Sequence, residues 1–232
     1  GSKFSANGEP VYFSVGPMAP AAIRWMINTV FMAVVSMILT CITAAMAGYA
    51  LAKKRFVGRQ LLFTLIVCAM ALPKQVILIP LLREMSALNL YNTIWAVIFP
   101  IVGWPFGVFL MKQFCDQIPN SLLEAARIDG AGEFYTFNKI VLPIMKPALA
   151  VQAIFSFVAS WNNYFIPALV LDSADKKTLP ILIAQLRSAD FLKFDMGKVY
   201  MMVAIAILPV IIVYLLLSKF IVRGVALGGV KG

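Results

Sequence analysis

The segment SLLEAARIDGAGEF, residues 121–134, places acids, an arginine, alanines and glycines between two strongly hydrophobic spans. The whole chain of 232 residues is 62% hydrophobic and only 13% charged, with a mean hydropathy of +0.90. In a soluble domain about half of the residues are apolar and about a quarter are charged. The composition therefore predicts a membrane protein in which this polar segment lies outside the membrane.

Hydrophobic stretches on both sides of the segment are long enough to cross a bilayer, which takes about 20 helical residues. Backbone groups in lipid must be satisfied internally, and the sequence lacks the alternating pattern of barrel strands, so these stretches are predicted to be helices. The predicted fold is all-α, a polytopic membrane helical bundle whose transmembrane domain covers residues 25–222. Its five predicted spans are residues 25–52, 61–82, 92–114, 148–171 and 199–222.

Basic residues predict the orientation of the bundle. The short connection KKRFVGR, residues 53–59, holds four of them, and lysine and arginine favour the cytoplasmic side. Such flanking residues explain the net charge of +10, so no nucleic-acid partner is expected. By alternation, the predicted cytoplasmic parts are loop 115–147 and tail 223–232, and the predicted outer parts are segment 1–24 and loop 172–198.

Residue types in the chain argue against chemistry of its own. The sequence has no histidine, and Cys41, Cys68 and Cys115 share no metal-ligand spacing. The predicted spans hold no acid that could form an ion path, and no Walker motif could cradle ATP. A secondary transporter or a membrane-embedded enzyme would need such groups. We predict no catalytic residue, no metal site and no cofactor in this chain.

Local signals in the polar segment predict a short amphipathic helix outside the membrane. Ser121 and Glu124 have the spacing of a capping box, and residues 122–128 supply about two helical turns. Gly130 suits the left-handed position that ends a helix. A second helix is predicted over residues 133–143, with a break at its final proline.

The wider pattern resembles the EAA signature of ATP-binding-cassette importer permeases. The triplet E-A-A at residues 124–126, Gly130, and I-V-L-P at residues 140–143 match every fixed position of that signature. Further stretches are similar to the carbohydrate-uptake branch and its smaller, maltose-type permease subunit; they are ALAKKRFVGRQLLF, IPLLREMSALNLYNT, SWNNYFIPALVL, TLPILI and GGVKG. Such subunits usually have six helices, so the usual first helix is expected to be missing here.

The resemblance implies the MetI-like permease fold in a prokaryotic cell membrane, crossed several times, and import of a sugar or oligosaccharide. It implies three kinds of protein partner: a second, larger permease subunit, two ATPase subunits that bind ATP and Mg, and an extracytoplasmic solute-binding protein. A permease of the same superfamily for glycerol phosphate, a polyol or a peptide is the alternative. The stretches WNNYF and GGVKG favour a carbohydrate.

Site residues follow from the same resemblance. The predicted ATPase-coupling residues are Glu124, Ala125, Ala126, Asp129 and Gly130. The tail residues predicted to contact the ATPase along an extended path are Gly228, Gly229 and Lys231, although an unattached terminus explains that composition equally well. The residues predicted to contact the binding protein are Leu179, Pro180, Gln185 and Arg187.

A polar and aromatic cluster in the fourth predicted span is the candidate substrate pathway. It consists of Trp161, Asn162, Asn163 and Tyr164. Amides are costly in hydrocarbon unless they are paired or face a cavity, and uncharged amide and aromatic groups suit a neutral polyhydroxylated ligand. Contacts between helices together with an interfacial aromatic belt are the alternative explanation.

Overall fold

The computed structural model describes residues 21–188 and 196–228, and within them the chain is helical and forms no strand. The first helices are α1 (Ala21–Lys53), α2 (Arg59–Met70), a 3-10 turn (Lys74–Ile77), α3 (Leu78–Ala87), α4 (Trp95–Val102), α5 (Pro105–Asp116) and α6 (Asn120–Ile128). They are followed by α7 (Glu133–Thr136), a π turn (Phe137–Val141), α8 (Leu142–Ile144), α9 (Lys146–Trp161), α10 (Phe165–Val170), a 3-10 turn (Ala174–Lys176), α11 (Leu179–Ser188) and α12 (Met196–Gly228).

Helix α1 is the central element of the bundle and packs against α4, α5, α9 and α11. Its 33 residues extend over about 50 Å at the usual helical rise. Small residues allow this packing: a Cβ atom at Gly48 would lie 2.6 Å from the Met111 Cβ atom and 2.7 Å from the Lys112 backbone nitrogen. Only glycine therefore permits the observed approach of α1 to α5, as small residues do in membrane bundles generally.

The apolar core is divided along the length of α1. Near its C-terminal end, Ala44 and Tyr49 pack with buried residues of α5, α6 and the π turn, including Met111, Leu123 and Val141. Near its N-terminal half, the buried residues come instead from α3, α4, α10 and α11, and they include Leu81, Ile98, Val170 and Leu179. Loop 116–145 and segment 171–179 therefore lie at opposite ends of the bundle.

The second predicted span is bent, and the helix of the fourth predicted span follows the preceding helical stretch at a sharp angle. Among the described residues, three helical stretches are long and apolar enough to cross a membrane unaided: Ile23–Lys53, Trp95–Asp116 and Met202–Phe220. Two bent pairs complete a total of five if each pair counts as one span: Arg59–Met70 with Gln75–Ala87, at 99°, and Glu133–Ile144 with Lys146–Trp161, at 78°. The second span follows the predicted interruption around Pro73, which is extended and begins a new helical segment.

The fourth predicted span, 148–171, is not one helix. Helix α9 begins earlier, at Lys146, and ends at Trp161, and α10 starts only at Phe165. The two asparagines explain the break, because their side chains bond to nearby backbone. Asn162 Nδ2 donates to the Val158 carbonyl at 3.0 Å, and Asn163 Oδ1 accepts from the Ile166 N–H at 3.4 Å.

The predicted boundaries are also wrong at both ends and in the outer loop. Helix α1 already includes residues 21–24, and α12 continues to Gly228, so residues 223–228 are helical rather than extended. Within the predicted loop 172–198, α11 forms a helix because Leu179, Ile181 and Leu182 are buried against the bundle. Apolar burial stabilises a helix that the charged flanks of this segment did not indicate.

Candidate coupling site

The polar segment forms helix α6, but its start differs from the prediction. The helix begins at Asn120 after Pro119, which is extended, and no side chain caps its N-terminus. The predicted capping box of Ser121 and Glu124 is therefore wrong, because Ser121 already lies inside the helix. The Asn120 side chain is held from outside the helix, since its Oδ1 atom accepts from Lys53 Nζ at 3.0 Å.

The C-terminal end of α6 confirms the left-handed glycine. Gly130 has a φ of 76°. Its N–H donates to the Arg127 carbonyl at 3.0 Å, and the Ala131 N–H donates to the Ala126 carbonyl at 2.9 Å. These two bonds form a Schellman motif, which satisfies carbonyls at the end of the helix and turns the chain sharply. Gly132, by contrast, has an ordinary φ of −69°.

The second helix of the segment continues beyond the predicted break. It runs from Glu133 to Ile144 and bends by 78° only at Met145, two residues after Pro143. The π turn at Phe137–Val141 changes the backbone hydrogen-bond pattern just before the proline. Pro143 then stands in the first turn of a new helical stretch, where its missing N–H is not needed.

The five predicted coupling residues divide between surface and interior. Glu124, Ala125, Asp129 and Gly130 are exposed, whereas Ala126 is only 6% exposed and faces the bundle beside Leu123. Ala126 therefore packs α6 onto the bundle, and it also lines the cavity beside the following turn. This cavity has a volume of about 490 Å³; its lining includes Asp129, Gly130, Gly132, Tyr135 and Ile140.

Large apolar side chains surround the exposed coupling residues, and sequence analysis missed them. Ile128 is 86% exposed and Phe134 is 80% exposed, and Leu122 and Tyr135 are also exposed. These residues and the four exposed coupling residues together form what we call the coupling surface. The exposure of Ile128 could have been predicted from the sequence. Ile128 lies five residues after Leu123, which places it on the opposite side of the helix from the buried Leu123 and Ala126.

The C-terminal end of α1 holds both ends of α6. Lys53 Nζ donates to the Ile118 carbonyl at 2.6 Å, just before α6 begins. Lys54 pairs with Glu133, just after α6 ends, and Glu133 Oε1 also accepts from Arg127 at 3.0 Å. Hydrogen bonds from Lys54 and Arg127 hold the pKa of Glu133 below its usual range. The carboxylate is therefore ionised at neutral pH, and its pairing is lost only as pH falls through that lowered pKa.

The candidate substrate residues lie at the break between α9 and α10. Trp161 is only 4% exposed and stacks on Phe157 with ring centroids 5.6 Å apart, which is a core contact. Asn162 and Tyr164 are exposed, and Asn163 is half-buried. A cavity of about 230 Å³ brings Trp161, Asn162 and Tyr164 together with Leu179 and Pro180, but not with Asn163.

The other predicted site residues lie on α11 or at the C-terminal end of the chain. Leu179 is 1% exposed, and its N–H donates to Thr29 Oγ1 at 2.8 Å, so this residue anchors α11 to α1. Pro180 is half-buried and Gln185 is exposed on the same helix, which also contains Arg187. Gly228 is the last residue of α12, and Gly229 and Lys231 lie outside the described residues.

Comparison with known proteins identifies the chain's family. Residues 41–226 match the family described as "Binding-protein-dependent transport system inner membrane component". The chain belongs to this family. The permease is 36% identical over 232 residues to the arabinooligosaccharides transport system permease protein AraQ of Bacillus subtilis (strain 168), covering 99% of this chain and 77% of that protein. It is therefore an inner-membrane component of an ATP-binding-cassette importer, as the EAA signature indicated.

Solved structures confirm the fold. The permease matches a chain of a bacterial ABC transporter involved in the import of the acidic polysaccharide alginate, with a TM-score of 0.74 and 26% identity over 86% of this chain and 75% of that chain. It also matches a chain of the MetNI methionine ABC transporter, with a TM-score of 0.68 and 17% identity over 91% of this chain and 99% of that chain. The second likeness shows the fold alone. The predicted all-α, MetI-like membrane bundle is confirmed.

Proposed function

We propose that this permease is one of two membrane subunits of an ATP-driven, binding-protein-dependent importer of a sugar or oligosaccharide. In this proposal α6 is the helix that a separate ATPase subunit binds. Two such ATPase subunits hold ATP and Mg, and a second, larger permease subunit supplies the other half of the pathway. An extracytoplasmic solute-binding protein delivers the substrate, and this chain performs no covalent chemistry.

The coupling surface is the observation that supports this role most strongly. It presents the exposed side chains of Ile128 and Phe134 on a segment that leaves the bundle. Apolar side chains clustered at an exposed position outside the membrane mark a protein interface. The basic residues 53–59 lie at the same end of α1, and their charge favours the cytoplasm, where an ATPase would reach them.

The substrate class is supported by the relatives and by the chemistry of the permease. AraQ is named for arabinooligosaccharides, and the alginate importer carries a polysaccharide. Within this chain, the cavity beside Trp161, Asn162 and Tyr164 is lined by uncharged groups, which suit a neutral saccharide at the outer end of the pathway. We also propose that Pro180, Gln185 and Arg187 meet the binding protein and that the tail after Gly228 meets the ATPase.

Replacing Ile128 tests this role, with Leu88 as the matched control. We expect Ile128→Glu to abolish co-purification of the ATPase subunit with the permease in mild detergent, because a carboxylate would lose the apolar contact and be desolvated at the interface. Leu88 is also an exposed aliphatic residue of the same size as isoleucine, but it lies in the turn after α3 at the opposite end of the bundle. Leu88→Glu is expected to retain the ATPase. If both variants retain it, α6 is not the docking helix.

A further inference from the structure

Two consecutive lysines at the end of α1 hold the two ends of α6. Lys53 reaches the chain before α6, where its Nζ atom donates to the Ile118 carbonyl at 2.6 Å and to Asn120 Oδ1 at 3.0 Å. Lys54 reaches the chain after α6, where it pairs with Glu133. The helix is therefore bracketed by the side chains of the last residue of α1 and of the residue that follows it.

Glu133 connects α1 with α6. Its Oε2 atom pairs with Lys54 and accepts from the Tyr49 hydroxyl at 3.3 Å, and both of these donors come from the end of α1. Its Oε1 atom accepts from Arg127 of α6 at 3.0 Å. The centroids of the Tyr49 and Phe137 rings lie 5.3 Å apart. Through Tyr49, the Glu133 carboxylate is therefore also connected to the bundle core.

The apolar attachment of α6 to the bundle is small. Only Leu123 and Ala126 of this helix are buried, and its other side chains are exposed. Two buried side chains of small or medium size hold a nine-residue helix only loosely. The charged contacts at its two ends therefore determine which element moves together with it. That element is α1, which in turn packs against α4, α5, α9 and α11.

We propose that Lys53, Lys54 and Glu133 form a clamp that transmits the displacement of α6 to α1 during transport. The proposal rests on the function given above, in which an ATPase moves α6. The clamp residues are positioning residues, since they act through the helix between them. Without the clamp, the contacts of α6 with the bundle would be reduced to the buried side chains of Leu123 and Ala126, and less of a displacement of α6 would reach α1.

Charge removal tests the clamp in the whole importer, reconstituted in proteoliposomes with its partner permease, ATPase and binding protein. The measured quantity is substrate taken up per ATP hydrolysed. We expect Glu133→Gln and Lys54→Met to lower that ratio several-fold, because each removes the ion pair that joins the chain after α6 to the end of α1, while the ATPase still co-purifies and hydrolyses ATP. Lys54→Arg keeps the charge and is expected to keep the ratio of the unmodified importer.

The control removes another ion pair at the same end of the molecule. Lys112 Nζ pairs with Asp116 at 2.6 Å within α5, so this contact joins no two elements. Asp116→Asn is expected to leave the ratio within about twofold of the unmodified importer, since pairs four residues apart on one helix contribute little.

The outcomes separate the clamp from simple support and from the proposed function. An unchanged ratio in Glu133→Gln and Lys54→Met would overturn the clamp. A proportional loss of uptake and hydrolysis, with loss of the ATPase from the complex, would overturn it too, because the residues would then only maintain the fold. If the unmodified permease does not retain an ATPase, the proposed function is wrong, and the clamp, which rests on that function, is wrong as well.

Discussion

At the scale of single residues, the turn after α6 depends on one backbone conformation. Gly130 has a φ of 76° and Gly132 has a φ of −69°, and an added Cβ atom would meet nothing within 4 Å at either position. The two glycines therefore differ in backbone strain but not in space. A left-handed conformation costs a non-glycine residue about 1–2 kcal/mol.

We expect Gly130→Ala to loosen this turn and Gly132→Ala to leave it intact. The strain opposes the Schellman bonds, so the amides of residues 130 and 131 should exchange hydrogen about tenfold faster or more in Gly130→Ala. Hydrogen exchange followed by mass spectrometry on the purified permease measures this difference. Equal exchange in the two variants would show that the positive φ does not control the turn.

At the scale of elements, Asn92 joins the turn before α4 to segment 172–176 at the end opposite α6. Its Oδ1 atom accepts from the backbone N–H groups of Asp172 and Ser173 at 3.2 and 3.1 Å, and its Nδ2 atom donates to Ser173 Oγ at 2.7 Å. Lys176 Nζ donates to the Asn92 carbonyl at 2.8 Å, and Asn92 itself has a φ of 56°. Asparagine tolerates that conformation better than most residues.

Asn92→Ala is therefore expected to release segment 172–176 from the turn. The variant loses the side-chain bonds and also strains the backbone, so limited proteolysis should cut this segment at least several-fold faster. Asn89→Ala is the matched control, since Asn89 has the same φ of 56° in the preceding turn. Faster cleavage in both variants would mean that backbone strain, and not the Asn92 side chain, controls the segment.

The same elements show what the sequence could and could not predict. Helix α1, the Gly130 turn and the interruption at Pro73 follow from local signals, namely apolar length, glycine and proline. The break at Asn162 and the burial of Leu179 do not, because an asparagine within an apolar run and a leucine among charges both depend on tertiary neighbours. The clamp was equally hidden: Lys54 and Glu133 are 79 residues apart, and each resembles an ordinary surface charge.

At the scale of the whole molecule, α1 connects the two opposite ends of the bundle. Its N-terminal residues bond to segment 174–177, where Trp25 Nε1 donates to the Ala174 carbonyl at 2.6 Å and Asn28 Nδ2 donates to the Lys177 carbonyl at 3.0 Å. Its C-terminal residues hold α6 through Lys53 and Lys54. A displacement that α6 passes to α1 can therefore reach segment 172–179 through a single helix.

Site-directed cross-linking shows whether an ATPase subunit binds α6. Ile128→Cys places a thiol on the coupling surface, and Leu88→Cys places one at the opposite end of the bundle. A short cross-linker added to native membranes is expected to join Ile128→Cys, and not Leu88→Cys, to an ATP-binding subunit. Failure of Ile128→Cys to cross-link, or equal cross-linking of Leu88→Cys, would contradict the account.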